Sequence, residues 1–326
     1  MSSVEPMLSI FQRLRYFEEP FAYICMNNQV TTYCSYCLRK PANNKLYRCN
    51  KCNFARYCNK VFLVYSWLLP KPRLAWKQHH RAECRRLEAV FPNLPLTEVL
   101  FLSRIIDRVL FLEQNGDKCG WEKNRKWTDL LSHQEDVRND PPRYAHFEKI
   151  YGKMALFRKD EVIEKDKFFE VFCKSVINSH SIHTSAGDEI GMALDLGVSM
   201  YDHSCRPNCS LVFDGFRACL RPLTPETNAA DPKTAYISYI DIGRSRYQRR
   251  LELKGKWYFL CKCERCTDPA DDVLTAMRCT AEECDEPLIV TEEPDATEDM
   301  VCRKCGTVTR AERIRKCQHL MLSLPA

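Results

Sequence analysis

Clustered cysteines constrain the fold of this chain more than any other feature of its sequence. Among its 326 residues are 20 cysteines, and most of them stand in short, paired spacings. The apolar stretch at residues 61–70 is shorter than the ~18–20 residues that a bilayer span requires, and the N-terminus shows no secretory signal. We therefore expect a protein of the cytoplasm, the nucleus or both, where disulfides are disfavoured and paired thiols indicate metal ligands.

The first cluster consists of two Cys-x2-Cys pairs followed by further ligands. Its members are Cys34, Cys37, Cys49, Cys52, Cys58, His80 and Cys84. Zinc in structural sites takes four sulfur or nitrogen ligands in a tetrahedron, and a Cys-x2-Cys turn supplies two of them at a suitable separation. Burial as a small hydrophobe is the alternative for any single cysteine, but it does not account for the paired spacing. The pattern predicts a module over residues 34–84 that is organised by zinc.

This cluster resembles the MYND-type zinc finger, and the resemblance extends to Tyr57-Cys58 and to AWKQHHRAEC at residues 75–84. The family interleaves its sites, so the resemblance implies a second site of Cys49, Cys52, His80 and Cys84. It implies a first site of Cys34, Cys37, Cys58 and the residue four places later. That residue is Phe62, which cannot bind zinc. His79 is an alternative to His80 because it keeps the family's distance from Trp76, but only His80 keeps the His-x3-Cys spacing.

Phe62 lies in an apolar, proline-bearing stretch, residues 61–74, that differs from its basic and polar surroundings. Either this stretch is a helical insertion into the core, or it comes from unspliced sequence. Its composition favours the second interpretation. In both cases the first zinc site has only three obvious protein ligands, Cys34, Cys37 and Cys58.

The second cluster combines three strings: DHSCRPNC at residues 202–209, AYISYID at 235–241 and CKCERC at 261–266. One separated cysteine and a Cys-x-Cys-x2-Cys run supply four thiolates, again the number that zinc takes. In this order the strings resemble the core of a SET methyltransferase and its post-SET cysteines. With the MYND-type finger ahead of them, the chain resembles the SMYD family of SET- and MYND-domain protein lysine methyltransferases over residues 17–270.

The resemblance implies a role for each matching residue. The post-SET zinc ligands are Cys205, Cys261, Cys263 and Cys266. The contacts with S-adenosylmethionine (SAM) are Asn178, Asp202, His203, Tyr239 and Phe259. Tyr239 is the catalytic tyrosine, and the substrate channel holds Tyr239, Trp257 and Phe259. A third cluster, Cys279, Cys284, Cys302 and Cys305, has the form of a zinc ribbon. The remaining cysteines have no partner spacing, and we expect them to pack in the interior: Cys25, Cys119, Cys173, Cys209, Cys219 and Cys317.

The implied fold is α+β, a β-rich SET domain with an inserted MYND-type finger, a helical insert and a Cys-rich post-SET segment. Helical periodicity and a stop at Gly116 predict a helix in LTEVLFLSRIIDRVLFLEQ. SLVFDGFRACLRPL predicts a hairpin around Asp214-Gly215, and TAYISYID predicts a strand. The predicted boundaries are 1–33 for an N-terminal SET fragment, 34–84 for the finger, 85–172 for the helical insert, 173–260 for the SET core, 261–270 for the post-SET segment and 271–326 for the ribbon-like tail.

The resemblance implies a SAM-dependent protein-lysine N-methyltransferase with a histone or non-histone substrate. Methyl transfer to an amine is an in-line displacement, so positioning and desolvation carry most of the rate. A narrow aromatic channel keeps the lysine amine neutral and favours the sulfonium cation. The alternative is a weak or inactive scaffold that binds proline-rich peptides through its finger. Zinc thiolates would cancel the formal net charge of +6, so direct DNA binding is not required.

Several departures from the family favour weak activity. The chain has no glycine before Gly116, so the family's Gly-x-Gly strand, whose backbone approaches SAM closely, is not matched. Asp202 replaces the family's asparagine. Counting back from Cys261, Trp257 falls where many members have a second channel tyrosine, and on the expected strand its neighbour Tyr258 would point to the opposite face. The helical C-terminal domain of several members is not matched either. We expect a form extended by a Gly-x-Gly strand to be the active one.

Overall fold

The computed structural model describes residues 14–17, 19–58, 80–116, 125–289 and 298–323. Residues 61–74, with Phe62, as well as His79 and Cys119, lie outside the described residues. The chain forms two compact units. One comprises Met1–Tyr201 with Leu211–Pro232, and the other comprises Asp202–Ser210 with Lys233–Ala326. The mixed helix-and-sheet architecture confirms the α+β class, whereas the six domain boundaries drawn from the sequence stay a prediction.

The first unit contains five α-helices among its described residues. They are α1 (Arg81–Val90), α2 (Thr97–Asn115), α3 (Gln134–Arg138), α4 (Pro141–Arg158) and α5 (Lys165–Asn178). The apolar residues of α2 are buried along most of its length, and Gly116 ends it with φ +73°. The Asp140 carboxylate caps α4 by accepting from the Arg143 N–H. Helices α2, α4 and α5 pack against one another. The helix predicted in LTEVLFLSRIIDRVLFLEQ is confirmed as α2.

Eight strands among the described residues form three small antiparallel sheets, and all but the first two residues of the strand at Cys209–Asp214 belong to the first unit. These strands are β1 (Arg15–Tyr16), β2 (Ala22–Cys25), β3 (Tyr47–Arg48), β4 (Arg56–Tyr57), β5 (Ser179–His183), β6 (Glu189–Leu194), β7 (Cys209–Asp214) and β8 (Arg217–Pro222). The sheet orders are β2-β6-β5, β1-β8-β7 and β3-β4. Helix α2 packs on β2. The predicted hairpin is confirmed, since β7 and β8 are neighbours and Gly215 turns between them with φ +62°.

The turn between β7 and β8 lies directly against the finger. A Cβ atom on Gly215 would stand 2.2 Å from the Cys37 carbonyl oxygen. Arg39, two residues after Cys37, pairs with Asp214 at 2.6 Å. Glycine is therefore required at residue 215 for two reasons: its positive φ and the close approach of the finger backbone.

The second unit contains short elements grouped around cysteines. They are α6 (Arg246–Trp257), α7 (Glu264–Thr267), β9 (Met277–Arg278), β10 (Pro287–Leu288), β11 (Met300–Val301), β12 (Val308–Thr309) and α8 (Ala311–Ser323). Ser245 caps α6 with a capping box to Gln248. The prediction of a strand at TAYISYID was wrong. This segment makes a single parallel bridge, Ile237 to His203, and Tyr239 lies in irregular backbone.

Candidate metal centres and the Tyr239 cluster

The structure brings the predicted cysteine and histidine ligands into four groups. The groups are Cys34, Cys37 and Cys58; Cys49, Cys52, His80 and Cys84; Cys205, Cys261, Cys263 and Cys266; and Cys279, Cys284, Cys302 and Cys305. Within each group the ligand atoms lie within 4.8 Å of one another. The grouping is the interleaved one that the family resemblance implied, and His80 stands in the second group.

Distances between ligand atoms match a tetrahedral zinc site. With Zn–S bonds of about 2.3 Å, the edges of a regular tetrahedron are roughly 3.8 Å, and the edge from sulfur to an imidazole nitrogen is roughly 3.5 Å. In the second group Cys49 Sγ lies 3.8 Å from Cys84 Sγ, and Cys52 Sγ lies 3.6 Å from His80 Nε2. Disulfides would place the sulfurs at about 2 Å. The donor sets therefore fit Zn(II).

A buried carboxylate orients the histidine of the second group. His80 Nδ1 lies 3.2 Å from Glu83 Oε1, so that Nε2 faces the sulfurs. Arg104, on α2, donates two hydrogen bonds to the same carboxylate at 2.6 and 2.7 Å and a third to the Tyr23 carbonyl of β2 at 2.7 Å. Burial alone would raise the pKa of Glu83, but the Arg104 charge and His80 outweigh it and hold the pKa at about 2.

Glu83 and Arg104 thus link the second metal group to the sheet. Their side chains are 2% and 5% exposed, so the charges have little water to stabilise them and depend on each other. A carboxylate behind a metal-bound histidine fixes its ring orientation and strengthens its basicity. The signal in the sequence was weak: Glu83 stands directly before Cys84 on the first turn of α1, and nothing local marked Arg104 as its partner.

The group around Cys205 is enclosed by cations from α6. Cys205 Sγ lies 3.9 Å from Cys261 Sγ and 3.5 Å from Cys266 Sγ. Arg249 is fully buried and contacts Cys266 Sγ at 3.8 Å and Asp271 at 2.5 Å. Arg250 donates to the carbonyls of Cys261 and Cys266 at 3.2 and 3.0 Å. These guanidinium groups would oppose the excess negative charge of four thiolates if they held one Zn(II), a charge that burial would otherwise penalise.

The ribbon group is more open to solvent. Cys279 Sγ lies 3.5 Å from Cys305 Sγ, and Cys284 Sγ lies 3.7 Å from Cys302 Sγ. Gly306, with φ +73°, closes the turn by donating from its N–H to the Cys302 carbonyl. Cys305 is the one exposed ligand of the four groups. Its bond with Thr307, at 3.2 Å, lowers the pKa of the Cys305 thiol to about 6.

An aromatic cluster packs beside the group around Cys205. The half-buried rings of Tyr239, Trp257 and Phe259 contact it. The Tyr239 ring lies 5.4 Å from the His203 ring and 5.2 Å from the Trp257 ring, and the Phe259 ring lies 6.2 Å from His203. Burial, and to a smaller extent the Asp202 carboxylate, raises the pKa of the Tyr239 phenol well above its ordinary value, so the hydroxyl stays protonated at neutral pH.

Trp257 occupies a different backbone environment from the one that the sequence suggested. It is the last residue of α6, and Tyr258 follows it in the left-handed conformation with φ +61°. The idea that these neighbours alternate along a strand was therefore wrong. The contact of Trp257 with Tyr239 comes from a helix end.

The surroundings of Asn178 and Asp202 give no specific indication of a contact with SAM. Asn178 ends α5, and its amide donates to the carbonyls of Leu131 and Lys174, both at 2.8 Å. Asp202 is exposed at the start of the HSCRPNC segment. Their roles toward SAM stay predictions. Among the cysteines expected to pack, Cys25, Cys173, Cys209 and Cys219 are buried, and Cys317 is partly buried.

Sequence comparison finds similar proteins over most of the chain. No family model matches the chain. Histone-lysine N-methyltransferase SMYD3 of Homo sapiens is 28% identical over 288 residues, 86% of this chain and 62% of that protein. Histone-lysine N-methyltransferase ASHR1 of Arabidopsis thaliana is 27% identical over 313 residues, 90% of this chain and 60% of that protein. SET domain and MYND-type zinc finger protein 6 of Schizosaccharomyces pombe is 27% identical over 238 residues, 73% of this chain and 44% of that protein.

The chain is thus similar over most of its length to proteins named for their SET and MYND domains, and its cysteine groups are consistent with a MYND-type zinc finger. The resemblance to the SMYD family is confirmed. The chain spans less than two thirds of the length of these relatives. In the part of the chain that the structure describes, no helix has the length and apolar character to cross a membrane.

Proposed function

We propose that this chain is a SAM-dependent protein-lysine N-methyltransferase, with Tyr239 as its catalytic residue and with Zn(II) in its cysteine groups. The observation that carries the proposal is the Tyr239 cluster, in which three aromatic rings lie beside His203 and the group around Cys205. Relatives named as histone-lysine methyltransferases support the reaction class.

The residues of the cluster suit a cationic methyl donor and an amine acceptor. Aromatic faces attract a sulfonium and the alkylammonium product, and their apolar surroundings disfavour an incoming ammonium, so that the lysine arrives neutral. The Tyr239 phenol is protonated and uncharged, and its oxygen still has a lone pair that can accept from the amine N–H. This hydrogen bond directs the nitrogen along the channel. When bound, SAM supplies the electrophilic methyl group. We assign the cofactor contacts to Asn178, Asp202, His203, Tyr239 and Phe259, and the channel to Tyr239, Trp257 and Phe259.

The zinc ions hold the backbone around these side chains. Each four-ligand group joins segments that are distant in sequence, as Cys205 is from Cys261, Cys263 and Cys266. Binding free energy at such sites is folding free energy, because the unfolded chain has no preformed site. The partner is a protein lysine, on a histone or another protein. A proline-rich peptide at the finger is a further prediction.

A labelled methyl-transfer assay with histones and with a protein extract tests the proposal, on this chain and on a form extended by a Gly-x-Gly strand, which we expect to be the more active one. Tyr239→Phe should lower kcat at least tenfold and leave the Kd for SAM nearly unchanged, because the hydroxyl acts on the amine. The matched control is Tyr236→Phe. Tyr236 lies three residues away and is exposed, and its hydroxyl donates to the Lys233 carbonyl at 3.3 Å, so this variant should keep wild-type activity. Absence of both SAM binding and methylation in both zinc-loaded forms would reject the proposal in favour of the scaffold alternative.

A further inference from the structure

We propose that His203 is a positioning residue that connects the metal group around Cys205 to the backbone of Tyr239. The proposal rests on the proposed function, because it assigns Tyr239 its catalytic role. Its basis is that the two ring nitrogens of His203 face two different partners. Nδ1 lies 3.1 Å from the Tyr239 backbone nitrogen, and Nε2 lies 3.2 Å from Cys205 Sγ.

The Tyr239 contact fixes the tautomer of the imidazole. A backbone N–H can only donate, so Nδ1 must accept and carries no proton. The proton of the neutral ring is then on Nε2, which points at the Cys205 sulfur. A zinc-bound thiolate accepts such a bond. His203 is 9% exposed, so water has little access to replace either partner.

The hydrogen bond from the Tyr239 N–H to His203 Nδ1 is important because Tyr239 lies in irregular backbone. A residue in a ladder strand would give its N–H to a neighbouring strand, but Tyr239 lies outside any strand. The segment is attached to the Asp202–Ser204 backbone by two bonds at Ile237: its N–H donates to the Asp202 carbonyl at 3.1 Å, and its carbonyl accepts from the Ser204 N–H at 2.9 Å. Two residues after Ile237, the acceptor is a side chain instead of the backbone: His203 Nδ1 accepts from the Tyr239 N–H.

The consequence is a mechanical link from metal to tyrosine. Zn(II) holds Cys205 as a thiolate at a defined position, the thiolate accepts from Nε2, and the ring thereby presents Nδ1 to Tyr239. Loss of the metal removes the charged acceptor and frees the sulfur. We expect the Tyr239 N–H to lose its partner as a result. Contact between His203 and SAM alone would not produce this dependence.

Two conservative variants separate the two bonds. In His203→Asn the amide oxygen takes the place of Nδ1 and can still accept from Tyr239, but the side chain does not reach Cys205. In His203→Gln the amide nitrogen reaches the place of Nε2 and can still donate to Cys205, while the acceptor for Tyr239 is lost. His203→Phe retains a ring and removes both bonds. The zinc-loaded chain of 326 residues is used throughout.

The first measurements do not need enzyme activity. Amide hydrogen exchange of Tyr239, followed by NMR on zinc-loaded protein, should be slow in wild type and in His203→Asn, and at least tenfold faster in His203→Gln and His203→Phe. Zinc release to a chromogenic chelator from the group around Cys205 should be about 10- to 100-fold faster in His203→Asn and His203→Phe, but close to wild type in His203→Gln. Chelation of zinc should accelerate Tyr239 exchange in wild type far more than in His203→Asn.

The activity arm then connects the link to catalysis. His203→Gln should lower kcat at least tenfold more than His203→Asn does, with SAM affinity equal in the two variants. Equal behaviour of His203→Asn and His203→Gln in exchange and zinc release would overturn the proposal. A loss of SAM affinity that accounts for the whole loss of turnover would also overturn it. If no form of the protein methylates lysine, the proposed function fails, while the exchange and release measurements still decide whether the link exists.

Discussion

Removing the charge of Glu83 is the perturbation that most directly tests the account of the finger. Glu83→Gln keeps the shape of the side chain and one acceptor oxygen, but it leaves the Arg104 guanidinium buried without its counter-charge. The pair is 2% and 5% exposed, with N···O contacts of 2.6 and 2.7 Å. Two unit charges about 4 Å apart interact by roughly 4 kcal/mol at an effective dielectric constant of about 20.

Breaking a buried pair by removing one partner typically costs about 3–5 kcal/mol, because the other charge stays uncompensated. We expect Glu83→Gln to lose an amount in this range in guanidinium denaturation of the zinc-loaded protein. The double variant Glu83→Gln/Arg104→Met removes both charges and should regain a large part of the loss. Glu312→Gln, at a pair in which both side chains are 72% exposed, is the control and should leave the midpoint unchanged.

Zinc release distinguishes two roles of the Glu83–Arg104 pair: stabilising the fold and orienting His80. Both variants that lack the Glu83 carboxylate should release zinc about 10- to 100-fold faster from the second group, since His80 loses its orienting partner. Arg104→Met alone keeps the carboxylate and should retain zinc, even though it destabilises the fold. A Glu83→Gln protein within about 0.5 kcal/mol of wild type, or one with unaltered zinc release, would refute the argument.

The remaining predictions concern the metals and the turn at residue 215. Elemental analysis should find at least three zinc ions per chain, one for each four-ligand group, and one or none would reject the metal assignment. Cys305 should be the first ligand that iodoacetamide modifies, since it is the exposed one, and uniform labelling of all ligands would contradict this. Gly215→Ala should destabilise the protein by about 1–2 kcal/mol for the left-handed backbone alone, and by more because its Cβ would meet the Cys37 carbonyl. Gly187→Ala, with φ +90° and open space around its Cβ, should show only the backbone effect in the same thermal denaturation.

The sequence predicted the ligands well and their supports poorly. Cys-x2-Cys and His-x3-Cys spacings follow from the reach of a short turn around one ion, so that local sequence determines them. Glu83 and Arg104 are 21 residues apart, and Arg249 and Asp271 are 22 apart. Such pairs form only when helices pack, which no local pattern specifies.

The segment around Tyr239 is a second case in which the local sequence pattern did not predict the structure. Alternation in AYISYID matched a strand by pattern, but a strand also needs a partner edge, and only Ile237 has one, at His203. The Tyr239 N–H is satisfied by a histidine side chain instead. Trp257 was placed on a strand by counting back from Cys261, whereas the capping box at Ser245 begins a helix that continues to Trp257. The strand pattern failed at Tyr239 because the segment lacks a pairing partner, and the strand placement failed at Trp257 because a helix-capping signal precedes it.

The incomplete first group provides the last prediction. Three thiols, Cys34, Cys37 and Cys58, form it among the described residues, and Cys37 Sγ lies 3.8 Å from Cys58 Sγ, as in a tetrahedral site. The family resemblance puts the fourth ligand at residue 62, which is phenylalanine. A site with three thiolates exchanges its zinc more readily than one with four, because a water ligand leaves easily. We therefore expect zinc to leave this group first in a chelator time course. Phe62→Cys should slow that phase at least tenfold if the family's spacing holds, whereas Phe62→Ser, which adds no thiol, should not. An unchanged first phase in Phe62→Cys would show that residues 61–74 keep position 62 away from the metal group.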